Sequence, residues 1–113
     1  MKPHGIVIVF REFTHYTDGE ARPAVVIRKM DKTLICFRIT SKDENKSVAI
    51  KGQYYPVQDW KSAGLQMKSW IDVGATATID LMTISYKQMG NLSFADIKGL
   101  KEFIENYYGY TAE

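Results

Sequence analysis

Arg22, Thr40 and Ser41 are the residues of this sequence whose side chains could act together on a phosphate group. Arg22 lies near the start of the apolar run ARPAVVI at residues 21–27, and Thr40 and Ser41 close the run CFRITS at 36–41. A guanidinium can bind two phosphate oxygens at once, and a hydroxyl can donate a further hydrogen bond. Because both runs are typical of strands, their polar ends can meet in a small domain. The pattern therefore indicates a site for a nucleic-acid backbone.

The size and charge of the chain restrict this hypothesis to a local site. The sequence has 113 residues, enough for one modest core, and we expect residues 1–113 to form a single domain. Its 45% hydrophobic and 25% charged residues are ordinary for a soluble globular domain. The formal net charge is only +2, which excludes the global basic field of an architectural DNA-binding protein.

Cysteine and histidine are too few to indicate a disulfide or a metal centre. Cys36 is the single cysteine, and its place in an apolar run predicts a small buried side chain rather than a nucleophile. His4 and His15 have no carboxylates at a metal-ligand spacing. We therefore expect no metal and no cofactor. With no signal-peptide pattern and no apolar run near the length of about 18 residues that spans a bilayer, we expect a cytoplasmic protein without membrane contact.

The polar ends of the two runs must be positioned by a sheet. Apolar and β-branched runs predict strands at residues 5–10, 23–28, 33–40, 47–51, 69–73 and 75–80. Polar stretches at 14–20 and 41–46 are typical of loops, and residues 59–65 predict a helical turn that ends at Gly64. These segments predict a mainly β (α+β) fold built on a small, strongly bent antiparallel β-barrel.

A C-terminal helix is predicted to cover this sheet. Ser93 is followed three residues later by Asp96, which is a capping pattern for the start of a helix. From there the residues Phe94, Ile97, Leu100, Lys101, Ile104 and Tyr108 keep a helical period. We therefore expect an amphipathic helix whose apolar face packs on the strands.

Several segments resemble the PemK/MazF-like toxins of bacterial toxin–antitoxin pairs. The segment 17–27 with its Arg22-Pro23-Ala24 signature is similar to the family's second strand and the loop before it, and Ile39-Thr40-Ser41 is similar to the end of the next strand. Further matches cover residues 5–10, 59–65, 68–70, 78–80 and 90–93, in the family's order. The resemblance implies an SH3-like barrel, a homodimer and a sequence-selective, metal-independent endoribonuclease acting on single-stranded RNA. It also implies a cognate antitoxin peptide, and DNA contact through the toxin–antitoxin complex.

The resemblance also implies roles for individual residues. Arg22 and Thr40 are the expected catalytic pair, because a guanidinium and a hydroxyl can stabilise the charge that develops on phosphorus during RNA cleavage. Ser41 and Arg38 are expected to add contacts to the RNA backbone. His15 and Tyr16, in the loop before the second strand, are expected to bind RNA as well, and His15 has the intrinsic pKa of a proton-transfer group.

One departure from the family pattern concerns the acid–base carboxylate. Where family members have Arg-x-Asp, this chain has Asp72-Val73-Gly74, so neither expected side chain is present. Gly74 cannot transfer a proton, and Asp72 lies two residues earlier, about 6.6 Å along a strand on the same face. Asp72 could therefore replace the missing carboxylate only in part.

Aromatic residues offer further RNA contacts in this reading. Tyr54, Tyr55 and Trp60 lie in or near predicted loops, where exposed rings can stack on unpaired bases. Trp70 lies in an apolar run and is expected to pack inside the protein. Tyrosines at 107, 108 and 110 are expected to cover the seam between helix and sheet, or a dimer interface.

Two alternatives to the ribonuclease remain open at this point. The mild net charge and the missing Arg-x-Asp pattern are compatible with a non-catalytic member of the same fold that binds nucleic acid or protein. The similarity could also be architectural only, in which case the chain is an SH3-like interaction domain, because a fold alone does not assign a function.

Overall fold

The structure is a computed structural model that describes residues 4–10, 21–41, 52–82 and 85–109. Its six strands are β1 (Gly5–Phe10), β2 (Ala21–Met30), β3 (Thr33–Thr40), β4 (Tyr54–Pro56), β5 (Trp70–Asp80) and β6 (Ser85–Asn91). One helix, α1 (Phe94–Tyr108), follows them. The strands form a single antiparallel sheet in the order β4-β5-β3-β2-β1-β6. This confirms the predicted mainly β architecture with a C-terminal helix.

Most predicted strands are present; two of them are joined into one, and the two edge strands, β4 and β6, were not predicted. The strand predicted at 47–51 and the loop at 14–20 lie outside the described residues, as does most of the loop at 41–46. The two segments predicted at 69–73 and 75–80 form one strand, β5. The edge strand β6 was not predicted, because its residues SYKQMGN are mostly polar and do not alternate as a half-buried strand does.

The sheet is open rather than a closed barrel in the part of the chain that the structure describes. Its edge strand β4 pairs only with β5, and its edge strand β6 pairs only with β1. The turn predicted at 59–65 packs against β6. Gly90 on β6 leaves room for the carbonyl of Ala63, which a Cβ would overlap, and Gly64 in the turn adopts φ +92°. The turn therefore covers the β6 edge of the open sheet without pairing β6 to β4.

A three-residue bulge interrupts β5 beside β3. Arg38 on β3 pairs with Asp72, but the neighbouring Phe37 pairs with Thr76, so residues 73–75 bulge out of the ladder. The bulge is held on both sides, because the Val73 N–H donates to the Gln53 carbonyl at 2.8 Å and the Tyr108 hydroxyl donates to the Val73 carbonyl at 2.6 Å. Tyr108 thus links the end of α1 to the sheet, at the predicted seam.

Two clusters of buried side chains form the core. The larger cluster lies between the sheet and α1 and includes Val25, Phe37, Ile71 and Leu100. The second cluster contains Val26, Leu34, Cys36 and Ile79, among others, from the alternate residues of the same strands. Because neighbouring residues of a strand point to opposite faces, β2, β3 and β5 are buried on both sides.

The start of α1 is joined to the turn at 58–65 by one buried carboxylate. Ser93 is the N-cap, as predicted, and its hydroxyl accepts from the Asp96 N–H at 3.1 Å. The fully buried Asp96 carboxylate accepts from the Tyr55 hydroxyl at 2.8 Å and from the backbone N–H groups of Gln58 and Asp59 at 2.9 and 2.8 Å. Asp96 therefore caps the preceding turn as well as supporting the helix start.

Of the residues predicted on the apolar face of the helix, Ile97, Leu100 and Ile104 face the core, whereas Phe94, Lys101 and Tyr108 are exposed. Leu100 is buried, and Ile97, Phe103 and Ile104 pack against the larger core cluster. Phe94 is 84% exposed, although Asp96 in the same turn is fully buried. Among the residues the structure describes, no helix combines the length and the apolar character needed to cross a membrane.

Candidate functional site

A groove of about 650 Å³ lies where the ends of β2, β3 and β5 meet the segment that precedes β5. Its polar lining consists of Arg22, Arg38, Thr40, Ser41, Tyr54, Gln66, Ser69 and Asp72. Apolar side chains, among them Ile39, Leu65 and Met89, complete the wall. The groove thus combines two guanidinium groups with hydroxyl groups, which is the chemistry that binds a phosphodiester.

The sheet register brings the predicted catalytic pair to this groove. Ala24 on β2 pairs with Arg38 on β3, and the same register extended by two residues sets Arg22 across from Thr40. Arg22 is exposed and Thr40 is half-buried, and both line the groove with Ser41. The geometry of these three residues therefore agrees with the sequence prediction, and their chemical roles stay a prediction.

Arg38 also lies in the groove, where it faces a carboxylate. Arg38 Nη2 is 3.7 Å from Asp72 Oδ2, and the two residues are direct partners across β3 and β5. The Arg38 side chain is 62% exposed whereas the Asp72 side chain is 6% exposed. Asp72 is the single carboxylate among the described residues of the groove lining.

The position of the missing family carboxylate is filled by an amide. A Cβ at Gly74 would overlap the side-chain amide of Gln53. Gln53 Nε2 donates to Asp72 Oδ1 at 2.7 Å, and the Gly74 N–H donates to the same oxygen at 2.9 Å. The bulge in β5 therefore places Gln53 against the one position where a carboxylate was expected, and turns Asp72 into the groove instead.

The other residues predicted to bind RNA divide into three groups. His15 and Tyr16 lie outside the described residues. Tyr55 is 5% exposed and its hydroxyl is held by Asp96, so it is part of the core and cannot stack on a base. Tyr54 is also buried but contributes to the groove wall, and Trp60 packs half-buried against the larger core cluster.

Two polar residues of the groove, Gln66 and Ser69, were not identified from the sequence, nor was Gln53, which contacts the groove residue Asp72. All three belong to the segments around β4, where no motif distinguishes them from ordinary surface residues. The Ser69 hydroxyl donates to the Met67 carbonyl at 2.8 Å and so shapes the chain where it enters β5. The sequence alone could not place these residues near the groove, because their positions depend on the pairing between β4 and β5.

The remaining reactive side chains do not add to this site. Cys36 is fully buried, as predicted, and this burial raises the pKa of its thiol to about 11. The pKa of Tyr55 is raised as well, first by burial and then by its hydrogen bond to Asp96. In the described segments no three side chains of His, Cys, Asp or Glu converge as a metal centre would require.

Comparison by sequence identifies no relative, since no protein-family model and no curated protein matches the chain. Comparison by structure does. The chain is similar to the toxin MazF-mt6 of Mycobacterium tuberculosis, with 19% identity, a TM-score of 0.64, and coverage of 98% of this chain and 100% of that one. It is also similar to the MazE–MazF structure of Deinococcus radiodurans, with 10% identity, a TM-score of 0.68, and coverage of 98% and 97%.

A third similar structure is a mycobacterial endoribonuclease in complex with its cognate antitoxin. It shares 8% identity and a TM-score of 0.65, and the similarity covers 99% of this chain and 97% of that one. The three alignments span nearly the whole of every chain involved. The fold of this protein is therefore the MazF fold, as the sequence resemblance predicted.

Proposed function

We propose that this chain is a metal-independent, sequence-selective endoribonuclease that cleaves single-stranded RNA as the toxin of a toxin–antitoxin pair. The observation that carries the proposal is the groove in which Arg22, Arg38, Thr40 and Ser41 converge on one end of the sheet. The fold supports it, because similar structures include an endoribonuclease and MazF toxins. On this proposal residues 1–113 act as one domain.

The first step of such a cleavage is binding of the scissile phosphate. The guanidinium of Arg22 would bind two non-bridging phosphate oxygens, and Thr40 and Ser41 would donate hydroxyl hydrogen bonds beside it. When the 2′-oxygen attacks phosphorus, the charge on these oxygens rises, and Arg22 and Thr40 stabilise that charge. Because attack comes from the 2′-hydroxyl, the reaction is confined to RNA.

Proton transfer completes the reaction. The 2′-hydroxyl loses its proton as the bond from O2′ to phosphorus forms, and the 5′-oxygen gains one as its bond to phosphorus breaks, which leaves a 2′,3′-cyclic phosphate. Asp72 is a carboxylate in the groove wall, and His15 is an imidazole with a suitable intrinsic pKa. Loss of activity in Asp72→Asn or in His15→Ala would assign the proton acceptor to one of the two.

The proposed partners follow from the same fold. Two of the similar structures are complexes with an antitoxin, and we propose that a cognate antitoxin peptide occupies the groove of this chain. We further propose that the chain is a cytoplasmic homodimer, that His15 and Tyr16 contact the bound RNA, and that DNA is contacted only through the toxin–antitoxin complex.

The decisive experiment is RNA cleavage in the presence of EDTA. The purified chain is incubated with a long RNA of mixed sequence, and discrete fragments with cyclic-phosphate ends are expected. Arg22→Ala and Thr40→Ala should each lower the rate by about 100-fold or more, as for other groups that stabilise transition-state charge. Arg28→Ala, on the same strand as Arg22, and Thr78→Ala, on the neighbouring strand β5, are the controls, because both residues are exposed and do not line the groove.

A second candidate function is RNA binding without cleavage. The observation that favours it is the amide of Gln53 beside Gly74, where a carboxylate was expected. On this alternative the wild-type chain binds single-stranded RNA, leaves it intact, and loses affinity in Arg22→Ala. If the chain neither cleaves nor binds RNA, the fold serves a protein partner instead and both proposals fail.

A further inference from the structure

Trp70 does not pack in the core as expected from its apolar neighbours. It is half-buried, and among the described residues it belongs to neither core cluster. Trp60, the other tryptophan of the chain, packs against the larger core cluster. The two indoles therefore have different environments, and that of Trp70 needs another explanation.

The position of Trp70 in the sheet sets it beside the groove. Trp70 is the first residue of β5 and pairs with Thr40 on β3 and with the exposed Pro56 on β4. Directly opposed residues of antiparallel strands point to the same face, with Cβ atoms about 4.5–5.5 Å apart. Since Thr40 and Asp72 share this face and line the groove, Trp70, which is not itself among the lining residues, lies next to the groove at its Thr40 end.

A cation accompanies this ring. The exposed Lys68 places Nζ 5.7 Å from the centre of the Trp70 ring, within the range of a cation–π contact. An ammonium group over a flat ring matches a nucleotide, because a base can take the place of the ammonium on the ring face while the ammonium turns to bind the phosphate. This arrangement adjoins the hydroxyl group proposed to hold the scissile phosphate.

We propose that Trp70 and Lys68 form a stacking platform for an unpaired base next to the phosphate bound at Arg22 and Thr40. This inference rests on the proposed RNA-binding function and deepens it, because it names the feature that selects single-stranded RNA. Stacking requires a base whose face is accessible, and the bases of a duplex are stacked on one another. The platform thus distinguishes single-stranded RNA from a duplex and does not select one particular base.

The chain offers a matched control for each part of the platform. Lys61 places Nζ 5.4 Å from the ring of Trp60, so the same pair of residue types occurs a second time. That pair lies on the turn that packs against the core. Trp60→Phe leaves Trp70 as the only indole, and Trp70→Phe leaves Trp60 as the only indole.

The first test is tryptophan fluorescence with a single-stranded RNA decamer of random sequence whose 2′-hydroxyls are replaced by fluorine, so that it cannot be cleaved. The emission of Trp60→Phe protein is expected to be quenched as RNA is added, and that of Trp70→Phe protein to stay unchanged. Binding of both variants is followed separately by the anisotropy of a dye on the RNA. If RNA binds by anisotropy while Trp70 emission stays constant, the platform is refuted and the proposed function is not.

The second test measures affinity with and without bases. Trp70→Ala should weaken binding of the decamer by roughly 5- to 100-fold, and Lys68→Ala less, whereas Lys61→Ala should match the wild type. On an abasic decamer with the same phosphates, Trp70→Ala should bind as the wild type does. An equal loss on the abasic strand refutes stacking, and a wild type that binds neither strand refutes the proposed function itself. Thermal unfolding of Trp70→Ala shows whether the variant is folded, and Trp70→Leu, which also lacks an aromatic ring but fills more space, serves if it is not.

Discussion

Arg38 and Asp72 are directly opposed across β3 and β5, and Arg38 Nη2 lies 3.7 Å from Asp72 Oδ2. Their surroundings differ, because Asp72 is buried and its Oδ1 accepts hydrogen bonds from Gln53 and Gly74, whereas the Arg38 side chain is 62% exposed. The carboxylate is therefore fixed, and the guanidinium is the member of the pair that can turn toward a bound phosphate. On the proposed function, Asp72 would compete with the RNA backbone for Arg38.

Substitutions of this pair should change RNA affinity in opposite directions. Asp72→Asn removes a negative charge and the competitor for Arg38, so we expect uncleavable 2′-fluoro RNA to bind about fivefold more tightly. Arg38→Ala removes one phosphate contact and should weaken binding by a similar factor. It should also lower the slope of log affinity against log salt by about 1. Anisotropy titrations at several salt concentrations measure both effects.

Controls for these variants lie on the same sheet. Asp80→Asn on β5 and Arg28→Ala on β2 make the same charge changes at exposed positions that do not line the groove. Both should leave the affinity close to the wild-type value. Weaker binding of Asp72→Asn would contradict the prediction and would mean that Asp72 positions Arg38 for RNA instead of competing with it.

Substitutions of Gly74 and Gln53 are predicted to have coupled effects on the free energy of unfolding. A methyl group at position 74 would overlap the Gln53 amide, which must then move and give up its hydrogen bond to Asp72. Gly74→Ala should therefore lower the free energy of unfolding by about 1 kcal/mol. In a Gln53→Ala background the space is already open, so the same substitution should cost nothing further. Urea unfolding of the four proteins measures this, and an equal cost in both backgrounds would exclude the coupling.

The sequence predicted the two strands that carry the expected catalytic pair, but not the contact between Gln53 and Asp72. Arg22 and Thr40 could be placed because each adjoins a run of apolar, β-branched residues, whose extended form is local in origin. The position of Gln53 depends on a three-residue bulge in β5, and no local pattern encodes the length of a bulge. Local patterns therefore located the guanidinium and hydroxyl groups, whereas the surroundings of Asp72 required the fold.

The same distinction holds at the start of α1. The spacing of Ser93 and Asp96 predicted the helix cap, which is an interaction within one turn. The partners of the Asp96 carboxylate are Tyr55, Gln58 and Asp59, which come about forty residues earlier in the chain. Local sequence propensities cannot identify such distant partners. They also do not predict the edge strand β6, because its polar residues have no periodic pattern.

Asp96 is predicted to be a main source of stability for the turn that covers the β6 edge of the sheet. Asp96→Asn keeps the shape but loses one carboxylate oxygen, so a buried N–H of the 58–59 turn is left without its acceptor, at a cost of about 1–3 kcal/mol. Tyr55→Phe removes a single hydrogen bond and should cost about 1 kcal/mol. Unfolding in urea measures both variants. Ser62→Ala, which removes an exposed hydroxyl from the same turn, should be nearly neutral, and an equally small effect of Asp96→Asn would contradict the prediction.

The buried thiol of Cys36 is expected to make the free energy of unfolding depend on pH in the alkaline range. Burial raises the pKa of its thiol to about 11 in the folded chain, whereas the ordinary value is 9.0. Between these values the unfolded chain has released the proton and the folded chain still holds it, so raising the pH favours unfolding. The free energy of unfolding should therefore be unaffected by this thiol below about pH 9 and fall by about 2–3 kcal/mol as the pH approaches 11. Urea unfolding from pH 8 to 11 tests this against Cys36→Ala, which should show a shallower decline, and parallel pH profiles for the two proteins would show that the thiol is not responsible.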